Sequence, residues 1–197
     1  RLFAVAIIPA ELRFDDVGGF DYVRELIAKG VRAFKLFPVL FTHLFDPYTL
    51  KNLADILIEN DIPIIVEASQ IRFDDLRVIL STFPKLKVVL TNAYWNQERL
   101  VFPLMMDFDN LYIEFSCLQS FNVIDRCKQF FGVDRLLFGS YYPTKASGAL
   151  KTLVEYSNLT EEEKDKVAYK NAMKLFHLPE PVAYTECKLD EIALTME

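Results

Sequence analysis

The sequence predicts an α/β fold, a (β/α)8 TIM-like barrel in which parallel strands alternate with helices. Six short apolar runs recur along the chain with starts 23 to 32 residues apart, the spacing of one strand with its crossover helix. Polar residues also occur at alternating positions within these runs. The mouth of a barrel can accommodate such residues, whereas an open sheet covered by helices on both faces offers them no place.

Each of the six runs is rich in Val, Ile, Leu and Phe, as in strands that are buried on both faces. The predicted strands are residues 2–9, 31–38, 63–68, 86–92, 111–116 and 135–142. A complete barrel has eight strands in about 250 residues. We therefore expect about six of the eight strand–helix units in these 197 residues. Compared with a complete barrel, the N-terminal part, about 60 residues, is expected to be missing from this sequence.

Helical segments with recognisable start and stop signals separate the strands. They are residues 19–29, a segment that begins at Pro47, residues 71–83, residues 122–131 and a last helix from Thr160 to about Phe176. Gly30 is a typical helix stop, and Thr160 forms a capping box with Glu163. We assign residues 1–178 to the barrel domain. Residues 179–197, which contain Pro-Glu-Pro and have no clear apolar face, are assigned to a C-terminal extension.

The composition excludes several classes of protein. The formal net charge is −6 and there is no Lys/Arg block, so neither a nucleic acid nor a membrane is expected as a partner. The longest apolar runs have about eight residues, far below the roughly 20 that span a bilayer. Three Cys without paired spacing fit a reducing compartment and predict a cytoplasmic protein. His43 and His177 are the only histidines, so a His-rich metal site is not expected.

Active-site residues of a (β/α)8 barrel lie at the C-terminal ends of its strands, and this rule selects a short set of candidates. They are Lys35 and His43 with the second visible strand, Glu67 and Gln70 with the third, Asn92, Tyr94 and Trp95 with the fourth, Glu114 with the fifth, and Tyr141 and Tyr142 with the sixth. Carboxylates and Lys can transfer protons, and aromatic rings can line a ligand pocket. Cys117 follows the fifth strand without a His nearby in the sequence, which disfavours nucleophilic catalysis.

The order of these segments resembles the second amidohydrolase family, metal-dependent barrels that include decarboxylases and lactone hydrolases. The matching segments are residues 30–38, 62–67, 83–92, 110–116, 134–143 and 171–176. The most specific part is Arg-Leu-Leu-Phe-Gly-Ser-x-x-Pro at 135–143, followed by Asn-Ala-x-x-Leu-Phe at 171–176. The resemblance extends to about residue 178. It implies a barrel that acts as a hydrolase or lyase on a small organic molecule.

Three positions at which that family usually carries metal ligands hold other residues here. The resemblance implies His, His and Asp where this chain has Glu67, Asn92 and Tyr141, and the His-x-His of the family's first strand has no counterpart in the visible chain. An Asn amide is a weak donor and a neutral Tyr a poor one. No metal ligand and no cofactor are therefore predicted. Zn or another divalent metal is expected only if the missing N-terminal strand supplies ligands.

We therefore expect an amidohydrolase-related hydrolase or lyase that works without the usual metal. Glu67 would provide acid–base catalysis, with Lys35, Asn92 and Tyr141 orienting or polarising a small-molecule substrate. The predicted ligand-binding residues are His43, Gln70, Tyr94, Trp95, Glu114 and Tyr142. Glu67 and Lys35 could equally form a structural ion pair that fills the place of the metal, since buried charges are normally paired.

Two other functions compete with this one. The chain could be a catalytically inactive relative that binds a small molecule or regulates a partner. A dinucleotide- or phosphate-binding domain ranks last, because Gly18-Gly19 lacks the third glycine of the phosphate-binding turn. The resemblance also makes a homodimer a reasonable expectation.

Overall fold

Six parallel strands form one sheet in the computed structural model, which describes residues 3–13 and 18–179. The strands are β1 (Val5–Ile7), β2 (Ala33–Leu36), β3 (Ile64–Glu67), β4 (Val88–Thr91), β5 (Leu111–Glu114) and β6 (Leu136–Leu137). Their spatial order is β1-β2-β3-β4-β5-β6, so each strand pairs with its neighbours in the sequence. Each lies inside a predicted run, and the hydrogen-bonded part is shorter than the run. The six parallel strands of the predicted fold class are confirmed.

Helices alternate with the strands as the sequence predicts. They are α1 (Gly19–Ala28), α2 (Pro47–Glu59), α3 (Phe73–Thr82), α4 (Glu98–Asp107), α5 (Val123–Phe131), α6 (Ser147–Glu155), α7 (Glu161–Asp165) and α8 (Asn171–Leu175). Asp46 caps α2 by accepting the N–H of Thr49 at 2.7 Å, and Thr160 forms the expected capping box with Glu163. The predicted last helix is not a single α-helix, because a π-helical turn, Lys166–Lys170, separates α7 from α8.

The two faces of the sheet pack against different parts of the chain. One face holds fully buried Phe34, Ile64 and Val88, which join the large core beneath helices α1 to α6. The residues between them in the strands point to the opposite face, called the inner face below. There Val89 and Leu137 form a separate small core with Leu175 of α8. Because the helices leave the rest of the inner face uncovered, polar side chains can occupy it.

The helix α8 covers the inner face near the N-terminal ends of the strands. Asn171, at its start, donates from Nδ2 to the carbonyls of Val133 and Leu136 at 2.7 and 2.9 Å. His177 Nε2 lies 3.0 Å from a carboxylate oxygen of Asp61, which precedes β3. These contacts leave the C-terminal ends of the strands as the open end of the inner face.

The sheet does not close into a barrel within the described residues, where β1 and β6 are its two edges. Ile7 of β1 lies on the inner face in register with Lys35 and is 57% exposed. No helix of the described part is long and apolar enough to cross a membrane. The predicted C-terminal extension, apart from its first residue, lies outside the described residues.

Candidate functional site

Polar side chains from five consecutive strand ends meet at the open end of the inner face. We call this group the mouth cluster. It consists of Lys35, Glu67, Asn92, Glu114, Cys117, Tyr141 and Lys145. The carboxyl ends of parallel strands share one edge of a sheet, which is why residues far apart in the sequence converge there.

Lys35 and Glu67 form an ion pair between β2 and β3, as one of the two sequence interpretations expects. Nζ of Lys35 lies 2.5 Å from Oε1 of Glu67, and both side chains are mostly buried. The same ammonium lies 4.6 Å from the centroid of the Phe37 ring, where the electron-rich face of the ring attracts a cation. Each charge is therefore compensated, and the pair holds Glu67 in one place at the edge of the mouth.

Glu114 is a carboxyl group that keeps its proton more readily than an exposed glutamate. Its oxygens accept the backbone N–H of Ser116 at 2.6 Å and the Ser116 hydroxyl at 2.8 Å, and these bonds favour the ionised form. Burial nevertheless raises the pKa of Glu114, because desolvation outweighs those hydrogen bonds and the charge of Lys145. Glu114 therefore keeps its proton to a higher pH than an exposed carboxyl group does.

Gly139 provides the space that the Glu114 side chain occupies. A Cβ added at Gly139 would lie 2.8 Å from Cγ of Glu114 and closer still to its carboxyl group. No side chain larger than hydrogen fits without moving Glu114. The glycine of the Phe-Gly-Ser segment thus has a packing role that its sequence alone does not indicate.

Asn92 and Tyr141 follow β4 and β6 in left-handed backbone conformations, with φ of 56° and 51°. Asn adopts this region readily, whereas a bulky residue does so at a cost. Burial, with a further contribution from the neighbouring Tyr94, raises the pKa of Tyr141, so that its hydroxyl remains a proton donor. Both residues are members of the mouth cluster.

Lys145 belongs to the mouth cluster, and the sequence analysis did not select it. Its Nζ donates to Sγ of Cys117 at 3.4 Å and lies 5.5 and 5.6 Å from the ring centroids of Tyr94 and Tyr141. In the described part of the chain, Lys145 makes no ion pair. The only available signal is its position as the single Lys or Arg in residues 138–146, the loop after β6.

Four other predicted ligand-binding residues lie outside the mouth cluster. Gln70 accepts the N–H of Leu40 at 3.1 Å and so fixes the loop after β2. The Nδ1 atom of His43 contacts the adjacent carbonyl of Leu44 at 3.1 Å. Trp95 and Tyr142 are 65% and 78% exposed. Tyr94 is also outside the cluster as defined, but its ring contacts Lys145 of the cluster.

The donors in the mouth cluster do not fit a divalent cation. Within the described residues no three His, Cys, Asp or Glu side chains come together as a metal-binding group. The carboxylate of Glu67 already faces an ammonium, and Lys145 adds a second positive charge to the same space. Two cations in this space repel a metal ion, and the second carboxyl group, Glu114, already accepts two hydrogen bonds from Ser116. The Asn92 amide and the Tyr141 phenol are weak donors.

The chain is similar in fold to several solved barrel structures. An uncharacterized TIM-barrel protein from Bordetella bronchiseptica superposes with a TM-score of 0.73 at 21% identity, over 89% of this chain and 66% of that one. A 5-carboxyvanillate decarboxylase from Sphingomonas paucimobilis has a TM-score of 0.67 at 11% identity, over 91% and 68%. A 4-oxalomesaconate hydratase from Rhodopseudomonas palustris has a TM-score of 0.57 at 19% identity, over 84% and 62%.

These likenesses establish the fold alone, because all three sequence identities are low. They also show that the present chain spans only about two thirds of the length of such barrels. No curated relative matches the sequence. A family model described as Amidohydrolase matches residues 13–178, which is most of the chain and the range over which the segment order suggested a resemblance. The chain belongs to the amidohydrolase family.

Proposed function

We propose that this chain forms the catalytic face of a hydrolase or lyase that acts on a small organic acid by acid–base chemistry, without a metal held by its own residues. The observation that supports this most is Lys145. Its ammonium lies at the mouth among aromatic rings and has no ion-pair partner in the described residues. An exposed or half-buried cation of this kind complements an anionic ligand.

The other members of the mouth cluster have complementary roles in this proposal. Lys145 binds the carboxylate of the substrate, and the rings of Tyr94 and Tyr141 contact its apolar part. Glu67 takes up or delivers a proton, while Lys35 holds its carboxylate in place. The Tyr141 hydroxyl, protonated because its pKa is raised, donates a hydrogen bond to charge that develops on the substrate. Asn92 orients the substrate.

Two of the structural relatives support a carboxylate as substrate. By their names, one acts on 5-carboxyvanillate and one on 4-oxalomesaconate, and both names describe carboxylic acids. Decarboxylation and hydration each require a proton to be added or removed at carbon or oxygen, which a carboxylate–phenol pair can do. We infer the class of substrate from this, and not its identity.

A substrate screen with matched variants tests the proposal. The full chain is incubated with a panel of hydroxybenzoates and short-chain oxo-acids, and depletion is followed by liquid chromatography. For any substrate found, Glu67→Gln should lower kcat by 10²-fold or more, the usual contribution of general acid–base catalysis. Lys145→Met should mainly raise KM. Glu155→Gln, at an exposed glutamate of α6, should change neither constant.

Glu67→Gln leaves Lys35 unpaired, so its folding must be checked separately. Circular dichroism and the thermal midpoint serve this purpose. Lys145→Met breaks no ion pair in the described residues, so it tests the site without this risk to folding. If folded Glu67→Gln retains wild-type kcat, the catalytic role of Glu67 is wrong.

A non-catalytic binding protein is the second candidate, and one observation favours it. Lys35 and Glu67 already compensate each other's charge, and Glu114 already accepts a hydrogen bond from Ser116, as in a structural network. A thermal-shift screen with the same acids separates the two functions, since stabilisation without turnover indicates binding alone. Strong stabilisation by Zn²⁺ or Mn²⁺, with stoichiometric metal by elemental analysis, would favour a metalloenzyme instead.

We also infer a cytoplasmic location from the three cysteines without paired spacing. A homodimer follows by analogy with the family. Light scattering coupled to size-exclusion chromatography tests the dimer directly.

A further inference from the structure

Cys117 and Lys145 are placed so that their reactive atoms face each other. The thiol of Cys117 is 2% exposed, at the end of β5. Nζ of Lys145 comes to 3.4 Å from its sulfur, although the two residues lie 28 positions apart. We propose that oxidation joins these two side chains in a covalent sulfur–nitrogen bond, making the pair a reversible modification site.

The surroundings of Cys117 favour an amine as the partner. An oxidised cysteine is normally captured by a second thiol, or by a nitrogen when no thiol can reach it. Besides Nζ of Lys145, the Ser116 hydroxyl and the Asn92 amide oxygen lie within hydrogen-bond reach of Sγ, both at 3.9 Å. Neither is a good nucleophile toward sulfur. The other described cysteine, Cys127, is itself buried in α5.

Burial also excludes competing reactions from solution. A thiol that is 2% exposed is shielded from bulky thiols such as glutathione, whereas hydrogen peroxide is little larger than water. The aromatic rings of Tyr94 and Tyr141 both lie close to the ammonium. Hydrogen peroxide is therefore the oxidant in this proposal, and the Lys145 amine is the group placed to capture the oxidised sulfur.

The chemistry balances with a hydroperoxide as the only co-reactant. The Cys117 thiol is oxidised to a sulfenic acid while the O–O bond of hydrogen peroxide breaks, and one water is released. The Lys145 ammonium releases one proton to water, and the lone pair of the resulting amine then attacks sulfur. A sulfur–nitrogen bond forms, the sulfur–oxygen bond breaks, and the departing hydroxide leaves as water with a proton from the amine. The net change is the loss of two hydrogens from the protein, and two reducing equivalents from a dithiol reverse it.

The cross-link would remove the positive charge of Lys145, the cation of the mouth cluster that has no ion-pair partner in the described residues. The nitrogen of a sulfenamide is not an ammonium, so both its charge and its attraction to the two tyrosine rings are lost. If Lys145 binds the substrate carboxylate, as the proposed function requires, oxidation then switches substrate binding off. The existence of the cross-link itself does not depend on that function.

Peptide mapping of the full chain tests the cross-link. The protein is treated with hydrogen peroxide, excess peroxide is removed, and the chain is digested with trypsin without reductant. We expect a peptide pair that links residues 117 and 145, lighter by two hydrogens than the sum of its parts. Trypsin should fail to cleave after Lys145. When the oxidised protein is reduced with dithiothreitol before digestion, both separate peptides should return and trypsin should again cleave after Lys145.

Matched variants identify the partners. Lys145→Arg keeps the charge but offers a poor nucleophile, so the cross-link should vanish and a sulfenic-acid probe should label Cys117. Cys127→Ser and Cys187→Ser should leave the cross-link intact. Labelling of wild-type Cys117 by the probe with no linked peptide, a disulfide through Cys117, or no oxidation of Cys117 would each overturn the proposal.

The readout is a mass and does not require turnover. Failure of the substrate screen therefore leaves the cross-link standing, and absence of the cross-link leaves the acid–base proposal untouched.

Discussion

Glu114 shows at the scale of single residues how burial and hydrogen bonding compete. The two bonds from Ser116 favour the charged carboxylate, yet its pKa is raised because the group has lost its water. The ionised form is therefore more costly in the folded protein than in the unfolded chain. This difference links the stability of the fold to pH.

The pH dependence of stability should reveal this carboxyl group. Below its ordinary pKa of about 4.5, Glu114 is protonated in both states and the fold keeps the full benefit. As pH rises through the raised pKa of the folded state, the unfolded chain has already released the proton, so stability falls. We expect the free energy of unfolding to decline over this range more for the wild type than for Glu114→Gln, measured by urea titration.

Glu59→Gln is the control for that experiment, since it removes an exposed glutamate at the end of α2. Its profile should run parallel to the wild type. Parallel profiles for Glu114→Gln as well would show that Glu114 ionises alike in both states.

The contact between Gly139 and Glu114 gives a second prediction. Gly139→Ala should destabilise the fold by about 1–3 kcal/mol, the usual cost of overpacking, because Cβ would overlap the Glu114 side chain. Gly148→Ala is the matched control, since a Cβ there meets nothing within 4 Å and favours the helix α6 by up to about 1 kcal/mol. The urea midpoint distinguishes them, and equal midpoints for the two variants would contradict the described packing.

The sequence could predict some of these residues and not others. Lys35 and Glu67 stand on neighbouring strands with the same inward alternation, so pattern alone places them together. Cys117 and Lys145 approach each other because of the paths of two loops, which periodicity does not describe. The role of Gly139 depends on which rotamer Glu114 adopts, and this too is a property of the packed structure.

The helix α8 shows at the scale of elements how a short segment can join distant parts of the chain. The π-helical turn before it places the Val167 carbonyl where it accepts the N–H of Phe138, just after β6, at 3.2 Å. Asn171 then bonds two carbonyls on either side of the start of β6. Within the described residues no strand pairs with the outer side of β6, and these helical contacts provide hydrogen-bond partners next to it.

Removal of the Asn171 amide should loosen this junction. Asn171→Ala removes the side-chain donor from the buried carbonyls of Val133 and Leu136, of which Val133 keeps the backbone N–H of Leu136, and we expect a loss of about 1–3 kcal/mol. Asn52→Ala, on the exposed face of α2, is the control. Ala has the higher helix propensity there, so its stability should stay the same or rise by a few tenths of a kcal/mol. Thermal unfolding followed by circular dichroism compares the two, and similar losses would argue against the Asn171 bonds as the cause.

The helices α4 and α6 were not predicted from the sequence, for physical reasons that differ. Pro103 lies inside α4 and breaks the usual helical pattern, since it lacks an N–H. In α6, Gly148 lowers the propensity of the first turn. Both helices form because packing of Val101, Met105 and Leu150 into the core outweighs these local preferences.

At the scale of the whole molecule, the inner face differs from the core in how much it contributes to stability. Ile64, beneath the helices, is 0% exposed, whereas Ile7, on the inner face of β1, is 57% exposed. Ile64→Ala should cost about 2–5 kcal/mol, as for other large-to-small core substitutions. Ile7→Ala should cost less than about 1 kcal/mol, since little burial is lost. Chemical denaturation of both variants checks this.

An equally large loss for Ile7→Ala would mean that the inner face of β1 is covered in solution. Any cover would have to come from residues beyond those described, or from a second molecule.

The strictly sequential order of the strands has a consequence for synthesis on the ribosome. Among the six described strands, every hydrogen-bonded pair is also a pair of consecutive strands. This sheet can therefore grow by one unit at a time, each docking on the unit made just before it. The contact of His177 with Asp61, across 116 residues, departs from this order. Translation and assembly can therefore proceed in step, and the helix made after all six strands fastens together units that folded one after another.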